Sequence, residues 1–133
     1  MVTQGSHQDA YLAGLNMRTN VMGAAHVERS VGQVSEFCRP AQELVTEYAW
    51  GEVWCRPGLD RKTRSMLNIA MLTALNRSQE LAGHIRGAVN NGVTETEIQE
   101  TLLQAMIYCG APAALESFRV AERSLTEIQE EAP

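Results

Sequence analysis

Between Met66 and Leu75 the chain carries Met66, Leu67, Ile69, Ala70, Met71, Leu72, Ala74 and Leu75, with neither Gly nor Pro to interrupt them. These residue types favour helix. A helix that is apolar on nearly every side must be buried on nearly every side. A chain of 133 residues supplies only a thin helical layer to cover such a segment. The segment therefore points to an oligomer, in which partner chains cover its second face.

The length fits one domain, residues 1–133. Hydrophobic residues make up 44% and charged residues 20%, a globular composition. Aromatic residues reach only 5%, while Ala, Leu, Met, Glu and Gln abound, which favours helices over sheets. The formal net charge of -5, without a run of Lys and Arg, argues against nucleic acid as a partner. No apolar stretch approaches the roughly 18 residues that span a membrane. The N-terminal stretch to Gly14 lacks the basic and apolar regions of a signal peptide, so a cytoplasmic location is expected. Cys38, Cys55 and Cys109 form no C-x-x-C pair and read as free thiols. They do not cluster with His7, His26 or His84, which argues against structural zinc.

Punctuation along the chain predicts about six helices and no strands. The first runs from Ser6, as N-cap, to Met22, where Gly23 interrupts it. A second spans His26 to Phe37, and a third opens at Pro40 and ends near Gly51. The stretch from Trp54 to Leu59 reads as a turn-rich loop. Asp60 caps a helix to Leu75, and Asn76-Arg77-Ser78 is a tight connection. The next helix stops at Asn90-Asn91-Gly92. Thr94 and Glu97 make a capping box for a helix ending at Cys109-Gly110. Pro112 suits the first turn of a last helix, to about Gln129.

The segment with most chemical content is Asn76 to Arg86. Glu80 and His84 are four apart and share a helical face, and Arg77 precedes Glu80 by about one turn. A guanidinium, a carboxylate and an imidazole over two turns suit acid–base chemistry on an anion. A solvated Glu–His surface pair has the same spacing. Arg56 and Arg64 flank the junction between loop and helix, and Arg64 opens an apolar helix, where it needs a partner. Trp50 and Trp54 read as core or interface packing, Cys109 as a buried structural thiol, His26 as a cap or interface residue and His7 as a tail residue.

The stretch Tyr48 to Trp54, the turn Arg56-Pro57-Gly58-Leu59 and the corner Tyr108-Cys109-Gly110-Ala111-Pro112-Ala113 occur in order, with Gly23 to Ser30, Arg64-Ser65, Asn76-Arg77, Glu80, His84 and Arg86 among them. With these motifs the chain resembles the carboxymuconolactone decarboxylase family over nearly its whole length. The resemblance implies an all-α fold shared with the alkyl-hydroperoxidase D proteins, and assembly as a homotrimer or homohexamer. It also implies cofactor-independent decarboxylation of 4-carboxymuconolactone to the 3-oxoadipate enol-lactone, in bacterial protocatechuate breakdown by the β-ketoadipate route. The hydroperoxidase relatives carry a C-x-x-C pair followed by histidine. Arg77 and Glu80 stand at those two positions here and His84 at the histidine. Peroxidase chemistry needs an attacking and a resolving thiol, so it is not expected.

On this resemblance His84 and Glu80 are the expected catalytic pair. Arg77, Arg64 and Arg56 are expected to hold substrate carboxylate, and Trp54 or Tyr108 to wall the site. Arg119 stands where several decarboxylases of the family have histidine; with Arg18, Arg77 and Arg86 it adds positive charge to the expected pocket. Two alternatives stay open. One is a same-fold enzyme of secondary metabolism, acting on another carboxylated lactone or β-keto acid. The other is a non-catalytic, oligomeric ligand-binding homologue.

Overall fold

A computed structural model describes residues 4–133. Residues 1–3, part of the stretch read as lacking a leader, lie outside them. The chain divides into two compact units, one ending at Leu59 and the other running over Asp60–Pro133. The first contains α1 (Gln4–Met22), α2 (Ala24–Val27) and α3 (Arg39–Leu44). The second contains α4 (Arg61–Ala74), α5 (Ser78–Asn90), α6 (Glu95–Cys109) and α7 (Ala111–Glu131). The architecture is all-α, with no strand among the described residues.

In the first unit α1 begins ahead of the expected cap, so Ser6 is an interior helical residue. The second helix is much shorter than expected. α2 passes into a π-helical turn, Glu28–Gly32, and then stops, leaving Phe37 outside any helix and exposed. Gly32 at that end is a poor helix residue. Pro40 lies in the first turn of α3, as expected. Gly51 does not end the helix, because α3 continues as a π-helix over Val45–Val53.

In a π-helix the carbonyl of residue i faces the N–H of residue i+5, as Ala49 does toward Trp54 at 2.9 Å. α1 packs on this wide-turned segment at a backbone crossing made of glycines. A β-carbon on Gly14 would strike the Thr46 carbonyl oxygen and stand 2.7 Å from the Gly51 nitrogen; one on Gly51 would strike the Ala10 carbonyl oxygen. Next to the crossing, Val21, Met22, Trp50 and Trp54 form a small core with Met17 and Ala49 against it. The two indoles stack at 4.7 Å between centroids, 16° from parallel. Trp54 is therefore a core residue of its unit. His7 is no tail residue: it sits in α1, paired with Glu47, and its ring meets Tyr48 edge-on at 6.4 Å.

The second unit follows its sequence closely. The Asp60 carboxylate accepts from the Thr63 amide at 2.7 Å and starts α4. α4 and α5 form an antiparallel hairpin through Asn76, which adopts a φ of 59°. The Asn91 side chain ties the far end by donating to the Arg61 carbonyl at 3.3 Å and the Ser65 hydroxyl at 2.9 Å. Gly110 has a φ of 103°, accessible to glycine and costly for other residues, and there α6 turns into α7.

Ile69, Leu81, Ile85, Ala88, Val93, Ile98, Leu102, Val120 and Ala121 form the core of this unit. Thr73 is buried among apolar residues because its hydroxyl donates to the Ile69 carbonyl at 2.8 Å. The apolar segment of α4 is not covered on every side within the chain: Leu67, Met71 and Leu75, spaced by four, are exposed. α5 and α7 are stapled by Arg86, which donates to both Glu131 carboxylate oxygens at 2.6 and 3.2 Å. Seven α-helices occur among the described residues, one for each segment enumerated from sequence, although α2 is much shorter than the segment expected after Gly23.

The capping box of α6 is complete. The Thr94 amide donates to Glu97 Oε1 at 2.9 Å, and the Glu97 amide donates to Thr94 Oγ1 at 3.1 Å. Lys62 adds an ion pair at 2.8 Å. The Lys62 ammonium, then the Thr94 amide, lower the Glu97 carboxyl to about 2.

Two outcomes follow. Gly14→Ala forces a methyl into backbone atoms, and overpacking of this kind costs about 1–3 kcal/mol or more. Its urea midpoint should fall clearly, whereas Gly58→Ala, with open space around the added carbon, should stay within about 0.5 kcal/mol of the parent. The second concerns pH. Because folding depresses the Glu97 carboxyl from 4.5 to about 2, its contribution is present above 4.5 and is lost as pH falls toward 2. Thermal melts of the parent and Glu97→Gln should differ at neutral pH and converge across that interval.

Candidate functional site

The seven residues singled out from sequence fall on both units. Trp54 and Arg56 belong to the first, and Arg64, Arg77, Glu80, His84 and Tyr108 to the second. Arg77 is the N-cap residue of α5, with its carbonyl accepting from the Leu81 amide at 2.9 Å. Glu80 lies in the first turn, where a carboxylate is favoured by the helix dipole. His84 follows one turn later. Arg77 and Glu80 are exposed, whereas His84 is half-buried with its Nδ1 atom enclosed. This part of α5 grades from a solvated charged end to a partly sunken imidazole.

Arg64 sits in the first turn of α4, half-buried, with Nε enclosed. The antiparallel hairpin places Arg64 and Arg77 toward opposite ends. Eleven residues separate Arg64 from Leu75 at the turn, so about 16 Å of helix lies between them at 1.5 Å per residue. His84 projects from the stretch of hairpin between these ends. The two guanidiniums thus bracket the imidazole along the hairpin axis, rather than forming one adjacent clamp.

Tyr108 lies in the last turn of α6 with 79% of its surface exposed. Cys109 beside it is exposed too, not the buried thiol expected from sequence. The last turn of α6 runs past the core, whose last α6 residue is Ala105. Cys38 and Cys55 are also free and exposed. Among the described residues no group of His, Cys, Asp and Glu could hold a metal ion, and no helix is long and apolar enough to cross a membrane.

Of the arginines expected to add charge to a pocket, two have other surroundings. Arg86 is engaged by Glu131. Arg119 is exposed and paired with Glu116 at 3.2 Å, on the lip of a groove of ≈ 390 Å³ between α6 and α7. Leu102, Phe118 and Leu125 line that groove, and none of Arg77, Glu80 and His84 does.

Arg18 is the residue that sequence reasoning undervalued. It is only 7% exposed. Its Nη1 donates to Gln42 Oε1 at 2.9 Å and to Thr46 Oγ1 at 3.1 Å. The Thr46 hydroxyl donates in turn to the Gln42 carbonyl at 2.7 Å. Burial lowers the proton affinity of Arg18, and the Tyr11 hydroxyl partly offsets this. Burial, followed by the charges of Arg18 and Arg29, holds the His26 imidazole below its ordinary 6.5. The available signal in the sequence was Arg18 just ahead of the apolar Val21-Met22, on a helix face shared with Tyr11 seven residues earlier.

With this geometry in place, comparison with known proteins is informative. Residues 39–123 match the model of the carboxymuconolactone decarboxylase family. The chain is 43% identical over 122 residues to a nitrosuccinic acid decarboxylase of Metarhizium robertsii, covering 92% of this chain and 85% of that protein. It is 42% identical over 121 residues to the 4-carboxymuconolactone decarboxylase of Acinetobacter baylyi, covering 91% of this chain and 90% of that protein. An uncharacterized 15.0 kDa protein of Paracoccus denitrificans is 35% identical over 94 residues, covering 69% of each chain. The matched residues take in α3 to the middle of α7, including the Arg77, Glu80 and His84 positions, and the chain belongs to the carboxymuconolactone decarboxylase family.

Proposed function

We propose that this protein is a decarboxylase of small organic acids that serve as their own electron sink, with 4-carboxymuconolactone as its substrate and the 3-oxoadipate enol-lactone as its product. The observation that carries the reading is His84, a half-buried imidazole one turn along α5 from an exposed carboxylate. Such an imidazole can deliver a proton to carbon in a partly desolvated site. The relative named as a 4-carboxymuconolactone decarboxylase supports the substrate.

The chemistry asks little of a cofactor. The departing carboxylate of this lactone sits on a carbon vinylogous to the lactone carbonyl. As carbon dioxide leaves, the electron pair of the broken bond flows through the ring double bond to the carbonyl oxygen, giving a delocalised dienolate. Protonation at the ring carbon then yields the enol-lactone. The sink that a prosthetic group would otherwise provide is built into the substrate. The protein's tasks are to hold the retained carboxylate, favour the oxyanion and deliver the proton. Arg77 at the turn end of the α4–α5 hairpin and Arg64 at its far end are the second unit's candidates for the carboxylate, one or the other serving it. His84 is assigned as proton donor, with Glu80 tuning or exchanging with it. Tyr108 is assigned as apolar wall, where desolvation favours neutral carbon dioxide over the carboxylate.

A second reading is favoured by the similarly close relative named as a nitrosuccinic acid decarboxylase. A carboxylate lost from the carbon bearing a nitro group leaves its electron pair on that group as a nitronate. The acceptor differs, but the demands are the same: a second carboxylate to anchor, a delocalised anion to stabilise and a carbon to protonate. In this reading the enzyme acts in secondary metabolism instead of aromatic breakdown.

Carbon dioxide release from each acid, supplied separately to purified protein dialysed against chelator, distinguishes the readings. Turnover of the lactone with loss of its ultraviolet absorbance is the expected outcome. Turnover of nitrosuccinate alone would transfer the assignment to the second reading, and release from neither acid would remove both. In either active case His84→Ala should lower the rate about 10²-fold or more. Near-parental turnover in a folded His84→Ala protein would take the imidazole out of the mechanism.

A further inference from the structure

Arg18 poses a question of charge. A guanidinium remains protonated in any ordinary protein environment, and burying an ion without a counter-charge is costly. Arg18 is 7% exposed, yet its hydrogen-bond acceptors, Gln42 Oε1 and Thr46 Oγ1, are neutral. Both are served by Nη1. The Nε–H is buried and has no hydrogen-bond partner. No Asp or Glu forms an ion pair with Arg18 among the described residues, and the nearby Glu47 is engaged by His7.

The exposed Arg29 adds to the positive charge of the region instead of cancelling it, and burial with the charges of Arg18 and Arg29 favours the neutral form of the His26 imidazole. His26 is partly exposed and Arg29 exposed, so the cluster reaches solvent, and the half-buried Tyr11 hydroxyl bears on Arg18 from its own helix. The guanidinium is also held in place. Thr46 accepts from Arg18 while donating to the Gln42 carbonyl, which fixes the hydroxyl's direction and with it one edge of the guanidinium. A buried, oriented cation with an unused donor and no counter-charge is organised for an anion. Planar guanidinium matches planar carboxylate best.

We propose that Arg18 and His26 form a carboxylate-binding site in the first unit, with Tyr11 and Arg29 at its rim. The site takes one carboxylate of a small organic acid. The choice of carboxylate among anions rests on the proposed decarboxylase function, whereas the existence of the site rests on the uncompensated guanidinium alone.

Succinate is a suitable probe, titrated at constant ionic strength into the full-length protein and followed by NMR at the Arg18 Nε–H and at the ring signals of His26 and His84. Saturable movement of the Arg18 and His26 signals is expected. Arg18→Met should weaken succinate binding at least 10-fold, Arg18→Lys should retain part of it, and Arg123→Met should leave it unchanged. If Arg18→Met fails to show a native helical circular dichroism spectrum, the parent titration and His26→Gln carry the test. A titration in which neither Arg18 nor His26 moves, or only His84 does, would overturn the proposal. So would a folded Arg18→Met protein that binds succinate as the parent does. These readouts involve no turnover, so failure of the substrate assignment leaves them intact, and their failure leaves the decarboxylase reading standing.

Discussion

The first unit depends on two backbones meeting without side chains between them. Gly14 on α1 lies over the π-helical turn from Thr46 to Gly51, and Gly51 in turn lies against the Ala10 carbonyl. Such an approach is closed to any residue with a β-carbon unless the helices separate. It sets what lies beside it. One turn after Gly14, Arg18 comes within hydrogen-bond reach of Gln42 and Thr46. Further along, Val21 and Met22 reach the stacked Trp50 and Trp54. The polar cluster and the small aromatic core both lie beside the glycine contact.

The second unit is organised by burial of branched aliphatic residues and by caps at its helix ends. Ile69, Leu81, Ile85, Ile98 and Leu102 are fully buried, each worth about 1.5–3 kcal/mol relative to exposure. Asp60 and Thr94 start α4 and α6, while Asn76 and Gly110 take the backbone conformations that reverse the chain. His84 shares α5 with Leu81 and Ile85, one residue before the latter. A packed helix therefore carries the imidazole and holds its height relative to the surface, while Arg77 and Glu80 at the solvated end keep their freedom.

The proposed decarboxylation relies on an electron sink within the substrate. The required groups are few: cations for carboxylates and one proton donor near the carbon. The two families of cations differ in character. Arg77 is exposed at a helix end, suited to capture from solvent. Arg18 is buried and held by Gln42 and Thr46, so the carboxylate site proposed for it is prealigned. Arg86 and Arg119, similar to these in sequence, are bound to Glu131 and Glu116 on the surface of the second unit.

The second unit was largely legible from sequence, because its signals are local. Caps, helix stops and the 3.6-residue pattern act over one or two turns, and Asp60, Thr94 and Gly110 stand where the chain needs them. Family membership was equally legible, from ordered motifs such as Tyr48 to Trp54 and Tyr108 to Ala113. The order Arg77, Glu80, His84 along α5 also came from spacing alone. The tertiary structure decided which charges are buried and which are neutralised, because that depends on contacts distant in sequence. Arg18 meets Thr46 across 28 positions and Arg86 meets Glu131 across 45, separations at which no helical period carries information. The π-helix of Val45–Val53 was hidden for the same reason: the close approach of Gly14 to its backbone is a contact between segments distant in sequence.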